Sequence, residues 1–287
     1  MMNMNQPHSV KDLLAPPRSL GAILVDAGRL SPQQVASVVE LQQQEGLRFG
    51  EAARQLGMLD AEDILFGLSR QFEYTCLGVG DDSVSAEVMA AFGSRDALIE
   101  GLRDLRSQLM LYWMGREQGR KSLALVSARR GEGKSFIAAN LAVLFSQLGQ
   151  RTLLVDADLI HPRQHRLFKL DNRAGLSSAL CGLTGLHAAV PIPRLGGLVV
   201  LPAGPTPPNP RELLSRPLLA QLLAQAGQAF DVVVIDTPSA ALADAQIVAA
   251  HASASILISR PNSATVAETA ALTANLGNLL GAVVNQF

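Results

Sequence analysis

One segment constrains the fold more than any other, because it places an apolar run, a glycine-bearing turn and a helix in a fixed order. It spans residues 123–149 and reads LALVSARRGEGKSFIAANLAVLFSQLG. The apolar run predicts a buried strand, and the helical pattern ends before Gly149. Gly131 and Gly133 lie in the turn, where glycine lets the backbone approach a ligand closely. The segment therefore predicts a strand–turn–helix unit of an α/β fold.

The same turn predicts phosphate binding. Its main-chain amides and those of the helix N-terminus would converge on phosphate oxygens. Lys134 would reach the β- and γ-phosphates, and Ser135 would bind Mg²⁺. ATP and Mg²⁺ are the expected ligands of this P-loop. The strict pattern has glycine where this chain has Ala128, so an ordinary strand-to-helix turn with a surface lysine is the alternative. The residues expected to contact the nucleotide are Arg130, Gly131, Glu132, Gly133, Lys134, Ser135 and Phe136.

Three carboxylates follow other apolar runs. Asp156 and Asp158 end TLLVDAD, and Asp236 ends DVVVID. Because the carboxyl ends of parallel strands meet at one ligand crevice, these side chains are expected to approach Mg²⁺ and the γ-phosphate. Taken singly, each could instead cap the turn that follows its strand. The expected metal ligands are Ser135, Asp156, Asp158 and Asp236, and the expected catalytic residues are Lys134 and the three aspartates.

The remainder of the C-terminal two-thirds alternates apolar runs with amphipathic stretches. The runs are LALVS, TLLVDAD, LVVLPAG, DVVVID, SILIS and GAVVN. Short β-branched runs without alternation are typical of strands buried on both faces, and the stretches between them suit crossover helices. A doubly wound, mainly parallel sheet is predicted.

The first seventy residues contain an internal repeat. Residues 19–42 and 48–71 align at an offset of 29, with glycines at equivalent positions. In each copy a short helix would end at the second glycine, and a second helix would start at Ser31 or Asp60, both good N-caps. We expect a helical two-repeat domain over 1–75, a linker over 76–95 and a P-loop domain over 96–287.

Composition narrows the classes of function. A net charge of −1 gives no broad basic field, which argues against nucleic-acid binding. The two cysteines show no disulfide or zinc spacing. We expect a cytoplasmic protein, because there is neither a signal-like N-terminus nor an apolar stretch long enough for a membrane span. His161 and His165 are separated by Pro162 and lack a partner glutamate, so we assign them no metal.

With these motifs in place, segment 96–287 resembles the cytoplasmic domain of bacterial tyrosine kinases, the BY-kinases that regulate exopolysaccharide assembly, especially the EpsG type associated with chain-length determinants. SARRGEGKS matches the family's Walker A motif, LLVDADLIHP its Walker A′ motif and VVVIDTP its Walker B motif. The resemblance implies an ATP-dependent protein tyrosine kinase. It implies that Lys134 neutralises phosphate charge and that Asp156 or Asp158 accepts the tyrosine proton.

The resemblance extends to two further elements. Glu100, Arg103 and Arg106 match the family's ExxRxxR element, which in relatives mediates ring-like self-association; a solvated charged helix face is the alternative. Asn285 matches a family position near the adenine base, and a strand-end turn residue is the alternative reading of that position. A homo-oligomer is therefore expected.

Several positions depart from the family pattern. Ile160 stands where an arginine is expected, and Ser239 stands where a second proline is usual. Relatives that autophosphorylate carry a C-terminal tyrosine cluster, whereas this sequence has only Tyr74 and Tyr112. The phosphate acceptor is then another protein, or one of these two tyrosines, or the domain is an ATP-driven assembly switch.

The N-terminal repeats resemble a different domain, the MshEN-type module at the front of type II secretion and type IV pilus ATPases, some of which bind cyclic di-GMP. Arg48 and Gly50 match that motif, whereas Ser19 and Arg29 depart from it. The resemblance implies either cyclic di-GMP binding or a docking module without a ligand.

The resemblance to BY-kinases also implies a partner and a location. The partner would be a membrane-anchored chain-length determinant protein, which would recruit this chain to the inner face of the plasma membrane. A switch ATPase of the partitioning and septum-positioning type shares the fold, and its additional P-loop lysine would fall at Arg129. A nucleotide-binding scaffold without catalysis is a third hypothesis.

Overall fold

The computed structural model describes residues 19–60, 63–64, 76–77, 80–94, 96–114, 121–238 and 244–286. The chain divides into two compact units, of which one is Pro16–Thr75 and the other contains Cys76–Phe287. Each unit has apolar cores of its own, one in the smaller unit and two in the larger. Among the described residues, no helix is both long and apolar enough to cross a bilayer.

The smaller unit is helical where it is described. It contains α1 (Leu20–Asp26), α2 (Pro32–Glu45) and α3 (Phe49–Gln55). Ser31 caps α2 as predicted: its side chain accepts from the Gln34 amide, and the Gln34 side chain accepts from the Ser31 amide. Asp60 makes the corresponding exchange with Asp63 in the second repeat. Most of the helix expected after Asp60 lies outside the described residues.

The larger unit is built on a seven-stranded sheet within the described residues. Its strands are β1 (Ser122–Val126), β2 (Thr152–Asp156), β3 (Val190–Pro191), β4 (Leu198–Leu201), β5 (Val232–Asp236), β6 (Ala254–Ser259) and β7 (Leu279–Val284). They lie in the order β3-β4-β2-β5-β1-β6-β7, and each neighbouring pair is parallel except β3 with β4. The predicted doubly wound, mainly parallel sheet is confirmed. The two residues of β3 were not predicted, because so short a strand has no periodicity to detect.

Helices cover both faces of this sheet. They are α4 (Ala97–Leu109), which continues into a π-helical turn (Met110–Met114), α5 (Lys134–Ser146), α6 (Gln164–Leu167), α7 (Leu176–Leu180), α8 (Pro210–Leu214), α9 (Pro217–Ala229), α10 (Asp244–His251) and α11 (Val266–Thr273). Successive residues of β1 enter different cores: Leu123 packs with α4 and α5, whereas Ala124 packs with α8 to α10. Burial on both faces explains why the strands are apolar without alternation.

The segment predicted as a linker, 76–95, belongs to the larger unit. Val84 and Val88 are buried in the same core as α5. Asn140 of α5, itself fully buried, accepts from the Ala90 amide at 2.8 Å and donates to the Glu87 carbonyl at 3.0 Å. The segment is fixed through turns and a short 3₁₀ helix (Met89–Phe92), which explains its weak sequence periodicity.

Candidate active site

The P-loop joins β1 to α5, and its glycines have the backbone conformations that the turn needs. Gly131 and Gly133 have φ of 88° and 96°, in the left-handed region that favours glycine. A Cβ added at Gly133 would lie 2.2 Å from Nδ2 of Asn285, so any side chain here would also displace the Asn285 amide group. The first amides of α5 have no acceptor within the helix, which leaves them for an anion.

Lys134 is the buried cation of the site. The residue is only 7% exposed, and its Nζ donates to Oγ of Ser127 at 2.8 Å. Burial lowers the pKa of Lys134, and the charges of Asp236, Asp158 and Glu132 oppose that shift. The ammonium therefore lies within electrostatic reach of two of the predicted aspartates.

Asp156 and Asp158 shape the loop after β2. Asp156 is fully buried, and its Oδ2 accepts from the amides of Arg163 and Gln164, each at 2.9 Å. Its Oδ1 accepts from the Asp158 amide at 3.2 Å. Asp158 is half-buried and accepts from the His161 amide at 2.8 Å. Both aspartates thus cap the following turn, which is the alternative that the sequence left open.

Asp236 lies directly beside Asp156 in the β2–β5 register. Its Oδ2 accepts from Nε2 of Gln164 at 2.7 Å, whereas its Oδ1 is buried and accepts no hydrogen bond from the described part of the chain. Burial raises the pKa of Asp236; the charge of Lys134 and hydrogen bonds from Gln164 and Ser135 partly offset this. Burial, and then repulsion from Asp236, raises the pKa of Asp156 well above its usual range.

These contacts test whether Mg²⁺ fits. Within the described residues, no three carboxylate, histidine or cysteine side chains gather as a metal-binding set. Both oxygens of Asp156 accept from backbone amides and each keeps a further lone pair, so the expectation that all three aspartates hold the metal stays a prediction. The unpartnered Oδ1 of Asp236 and the neighbouring Ser135 hydroxyl are oxygen donors of the kind that Mg²⁺ or its bound water prefers.

Gln164 is a site residue that sequence reasoning missed. It is fully buried in α6, and Nε2 donates both to Asp236 and to the Ser135 carbonyl, the latter at 3.0 Å. It therefore links the loop after β2 to β5 and to the P-loop helix. No spacing or composition marks this glutamine in the sequence, because its partners come together only in the folded sheet.

Asn285 and Glu132 hold the P-loop turn from within. The backbone amide of Asn285 donates to the Ser259 carbonyl at 2.7 Å, and its side-chain Nδ2 donates to the Glu132 carbonyl at 3.0 Å. Glu132 is 1% exposed, and its Oε2 accepts from the Arg129 amide at 2.7 Å. The Glu132 side chain thus points into the protein. Of the other predicted nucleotide contacts, Arg130 and Gly131 are exposed and Phe136 is half-buried.

Arg129 forms hydrogen bonds and an ion pair within its own chain. Its guanidinium donates to Oε1 of Glu268 at 3.1 and 2.8 Å, and to the Ser263 carbonyl at 2.8 Å. These bonds, with those from Thr265, lower the pKa of Glu268 to about 2. The P-loop is therefore tied to α11, the helix that Thr265 caps.

The predicted self-association residues do not share one environment. Glu100 and Arg103 form an ion pair on the outer side of α4. Arg106 is only 6% exposed, and Nη1 donates to the Leu144 carbonyl of α5 at 3.0 Å. Arg106 therefore fixes α4 to the P-loop helix inside the subunit, and the intersubunit role that the motif implied stays a prediction.

The fold and the site define a P-loop NTPase. A family model described as "ParA: NUBPL iron-transfer P-loop NTPase" matches residues 118–276. Among curated proteins, the tyrosine-protein kinase YwqD of Bacillus subtilis is 40% identical over 191 residues, which cover 65% of this chain and 80% of YwqD. The putative tyrosine-protein kinase CapB of Staphylococcus aureus is 34% identical over 197 residues, covering 67% of this chain and 86% of CapB.

Solved structures of similar proteins give the same family relationship. The kinase domain of the Escherichia coli tyrosine kinase Etk superposes with a TM-score of 0.65 at 33% identity, covering 69% of this chain and 79% of that domain. The chimerical protein CapA2B2 gives 0.65 at 30% identity, covering 77% of this chain and 97% of the chimera. This chain belongs to the bacterial tyrosine-protein kinase family, as the motifs predicted. The cell-division ATPase MinD of Pyrococcus furiosus, at 24% identity and a TM-score of 0.51, shares the fold.

Proposed function

We propose that this protein transfers the γ-phosphoryl group of Mg-ATP to a tyrosine hydroxyl of another protein and thereby regulates exopolysaccharide chain length. The observation that carries the proposal is the arrangement of buried Lys134 and Asp236 beside the half-buried Ser135 at the P-loop, in a chain that is 40% identical to a tyrosine-protein kinase. Phosphoryl transfer depends mainly on alignment and charge neutralisation, and this arrangement offers both.

In the proposed reaction, P-loop amides and Lys134 bind the phosphates, and Ser135 and Asp236 are the residues that would hold the metal. When bound, Mg²⁺ would supply neutralisation of phosphate charge. The tyrosine oxygen forms a bond to the γ-phosphorus, the bond to the ADP oxygen breaks, and the tyrosine proton passes to a carboxylate. Asp158 is the better acceptor because it is half-buried, whereas Asp156 is fully enclosed by amides.

The test compares wild type with Lys134→Met and Asp158→Asn in labelled ATP and Mg²⁺, with the cytoplasmic segments of a chain-length determinant protein as acceptor. We expect label on tyrosine that both substitutions reduce by at least about a hundredfold. Free phosphate without labelled protein would instead favour the switch ATPase. Nucleotide binding with neither product would favour the scaffold.

The proposal includes an assembly. We place a homo-oligomer contact on the outer side of α4, at Glu100 and Arg103, because the Glu100 side chain is 52% exposed and pairs with Arg103. The membrane-anchored chain-length determinant would hold this assembly at the inner face of the plasma membrane. Sedimentation velocity of wild type and Glu100→Arg, with and without that partner's cytoplasmic segment, tests both contacts.

We also propose the two-repeat domain as a candidate cyclic di-GMP site, separate from the kinase domain in function. A cleft of about 930 Å³ in the smaller unit is lined by repeat residues that include Gly21, Gln42, Arg48 and Gly50. Arg48 supplies a cation for a phosphate, and the glycines allow close approach. Isothermal titration of wild type and Arg48→Ala with cyclic di-GMP decides between this site and a docking module without ligand.

A further inference from the structure

A second cleft opens beside the P-loop. Its volume is about 670 Å³, and we call it the cationic cleft after five residues that line it: Arg130, His161, Arg163, His165 and Arg166. Arg130 belongs to the P-loop turn, and the other four belong to the loop after β2 and to α6. Because the His161 and Arg163 amides donate to Asp158 and Asp156, the cleft wall is built on the site carboxylates.

The cleft has excess positive charge. It contains three guanidinium groups, and the one carboxylate that lines it, Glu87, pairs with Arg163. In the part of the chain that the structure describes, Arg130 and Arg166 form no ion pair. Burial, followed by the nearby charge of Arg166, lowers the pKa of His165. An occupant with negative charge is therefore favoured, although the whole chain has a net charge of only −1.

The cleft has apolar surface as well as charge. Ile160 and Pro162, both partly exposed, line it together with the cations, and the buried Leu167 lies behind them. The ATP phosphates already have Lys134 and the P-loop amides as ligands, and a phosphate group alone would leave this apolar surface without a partner. A peptide with a tyrosine ring and neighbouring carboxylates matches both parts, since the ring can pack on the apolar surface and the carboxylates can pair with arginine.

We propose that the cationic cleft binds acidic residues next to the acceptor tyrosine, so that the enzyme prefers protein substrates with tyrosine in an acidic sequence. This inference rests on the proposed tyrosine kinase function, and it names the substrate class for that site. Arg166 is a specificity-determining residue in this arrangement, because it is exposed in the cleft and forms no hydrogen bond to the P-loop or to the site aspartates.

The experiment uses the full chain, Mg-ATP and three synthetic peptides that differ only in the residues around one tyrosine: glutamates, glutamines or lysines. We expect kcat/KM to be highest for the glutamate peptide. Arg166→Gln should lower kcat/KM for the glutamate peptide about fivefold by raising the KM for that peptide, because the substitution removes a partly exposed ion pair. It should leave the KM for ATP unchanged. Arg166→Glu should shift the preference toward the lysine peptide. Arg151→Gln removes the same charge at the opposite end of β2 and should change neither value.

Peptide binding is measured separately, by fluorescence anisotropy of labelled peptides with Mg-ADP, so that catalysis is not required. If no peptide is phosphorylated but the glutamate peptide binds and Arg166→Gln weakens that binding, the cleft is an acidic-peptide site and both the kinase function and the substrate preference are overturned. Equal binding of the glutamate and glutamine peptides would overturn the inference and leave the kinase function intact. A raised KM for ATP in Arg166→Gln, without a change for the peptide, would also overturn it and assign the cleft to nucleotide.

Discussion

Gly133 meets two constraints that no other residue type satisfies together. Its φ of 96° is strained for a side chain, and an added Cβ would meet Asn285 Nδ2 at 2.2 Å. We expect Gly133→Ala to lower the free energy of unfolding by roughly 2–4 kcal/mol, from backbone strain and displacement of Asn285, and to abolish ATP binding. Urea denaturation and nucleotide titration measure the two effects.

A matched substitution separates backbone strain from lack of space. Gly131 has a similar φ of 88°, but an added Cβ would meet no atom within 4 Å. Gly131→Ala should therefore cost only roughly 1–2 kcal/mol. The double variant Gly133→Ala/Asn285→Ala should recover part of the stability that Gly133→Ala loses. Equal costs at the two glycines would contradict the role given to Asn285.

Asp236 is a residue at which function and stability oppose each other. Because burial raises its pKa in the folded state above the unfolded value, folding favours the protonated form. The stability that it contributes is fully present below the unfolded pKa and is lost as pH rises through the folded pKa. In metal-free protein at pH 7, Asp236→Asn should therefore be more stable than wild type by roughly 1–3 kcal/mol, and it should be inactive.

The difference in free energy of unfolding between Asp236→Asn and wild type should shrink as pH falls toward the pKa of aspartate in the unfolded chain, about 3.9. Urea denaturation in EDTA at pH 7 and at pH 5 measures it. The variant keeps an oxygen to accept from Gln164, so that hydrogen bond is retained. A variant less stable than wild type at pH 7 would show that the attraction between Asp236 and Lys134 exceeds the cost of burial.

At the scale of elements, α4 separates a structural arginine from a surface arginine. Arg106 donates from a buried position to the last turn of α5, whereas the Arg103 side chain, which is 17% exposed, pairs with the more exposed Glu100. Arg106→Ala should lower the free energy of unfolding by about 2–3 kcal/mol, because it leaves the Leu144 carbonyl without that donor and opens a cavity. Arg103→Ala should cost under about 1 kcal/mol and change only the sedimentation coefficient. Similar stabilities for the two variants would contradict this division.

The elements also show how far the sequence could predict this fold. The strands of the P-loop unit were predictable because burial on both faces requires continuous apolar runs, and the site glycines because the turn requires their φ values. Gln164 and the Arg129–Glu268 pair were not, since their partners lie 72 and 139 positions away and meet only through sheet order. The described residues of segment 76–95 pack through irregular turns, which leave no period in the sequence.

Over the whole molecule, hydrophobic burial is divided unequally. Among the residues that the structure describes, the core of the smaller unit has seven buried side chains, including Leu24 and Val38, whereas the larger unit has two extended cores on the faces of its sheet. A small core supplies less stabilising burial per residue than a large one. The smaller unit is therefore expected to unfold at the lower temperature.

One tryptophan makes this expectation measurable. Trp113, the single tryptophan of the chain, is 1% exposed in a core of the larger unit, so its fluorescence reports that unit, whereas far-ultraviolet circular dichroism reports helices in both. We expect circular dichroism to show an unfolding transition at a lower temperature than the transition seen by fluorescence.

Leu24→Ala should lower the midpoint temperature of this first transition, because truncating a fully buried leucine costs about 2–5 kcal/mol, and it should leave the fluorescence midpoint unchanged. Mg-ATP should raise the fluorescence midpoint in wild type and not in Lys134→Met, since a ligand stabilises the unit that binds it. Coincident midpoints by both probes, moving together in Leu24→Ala, would mean that the two units unfold as one.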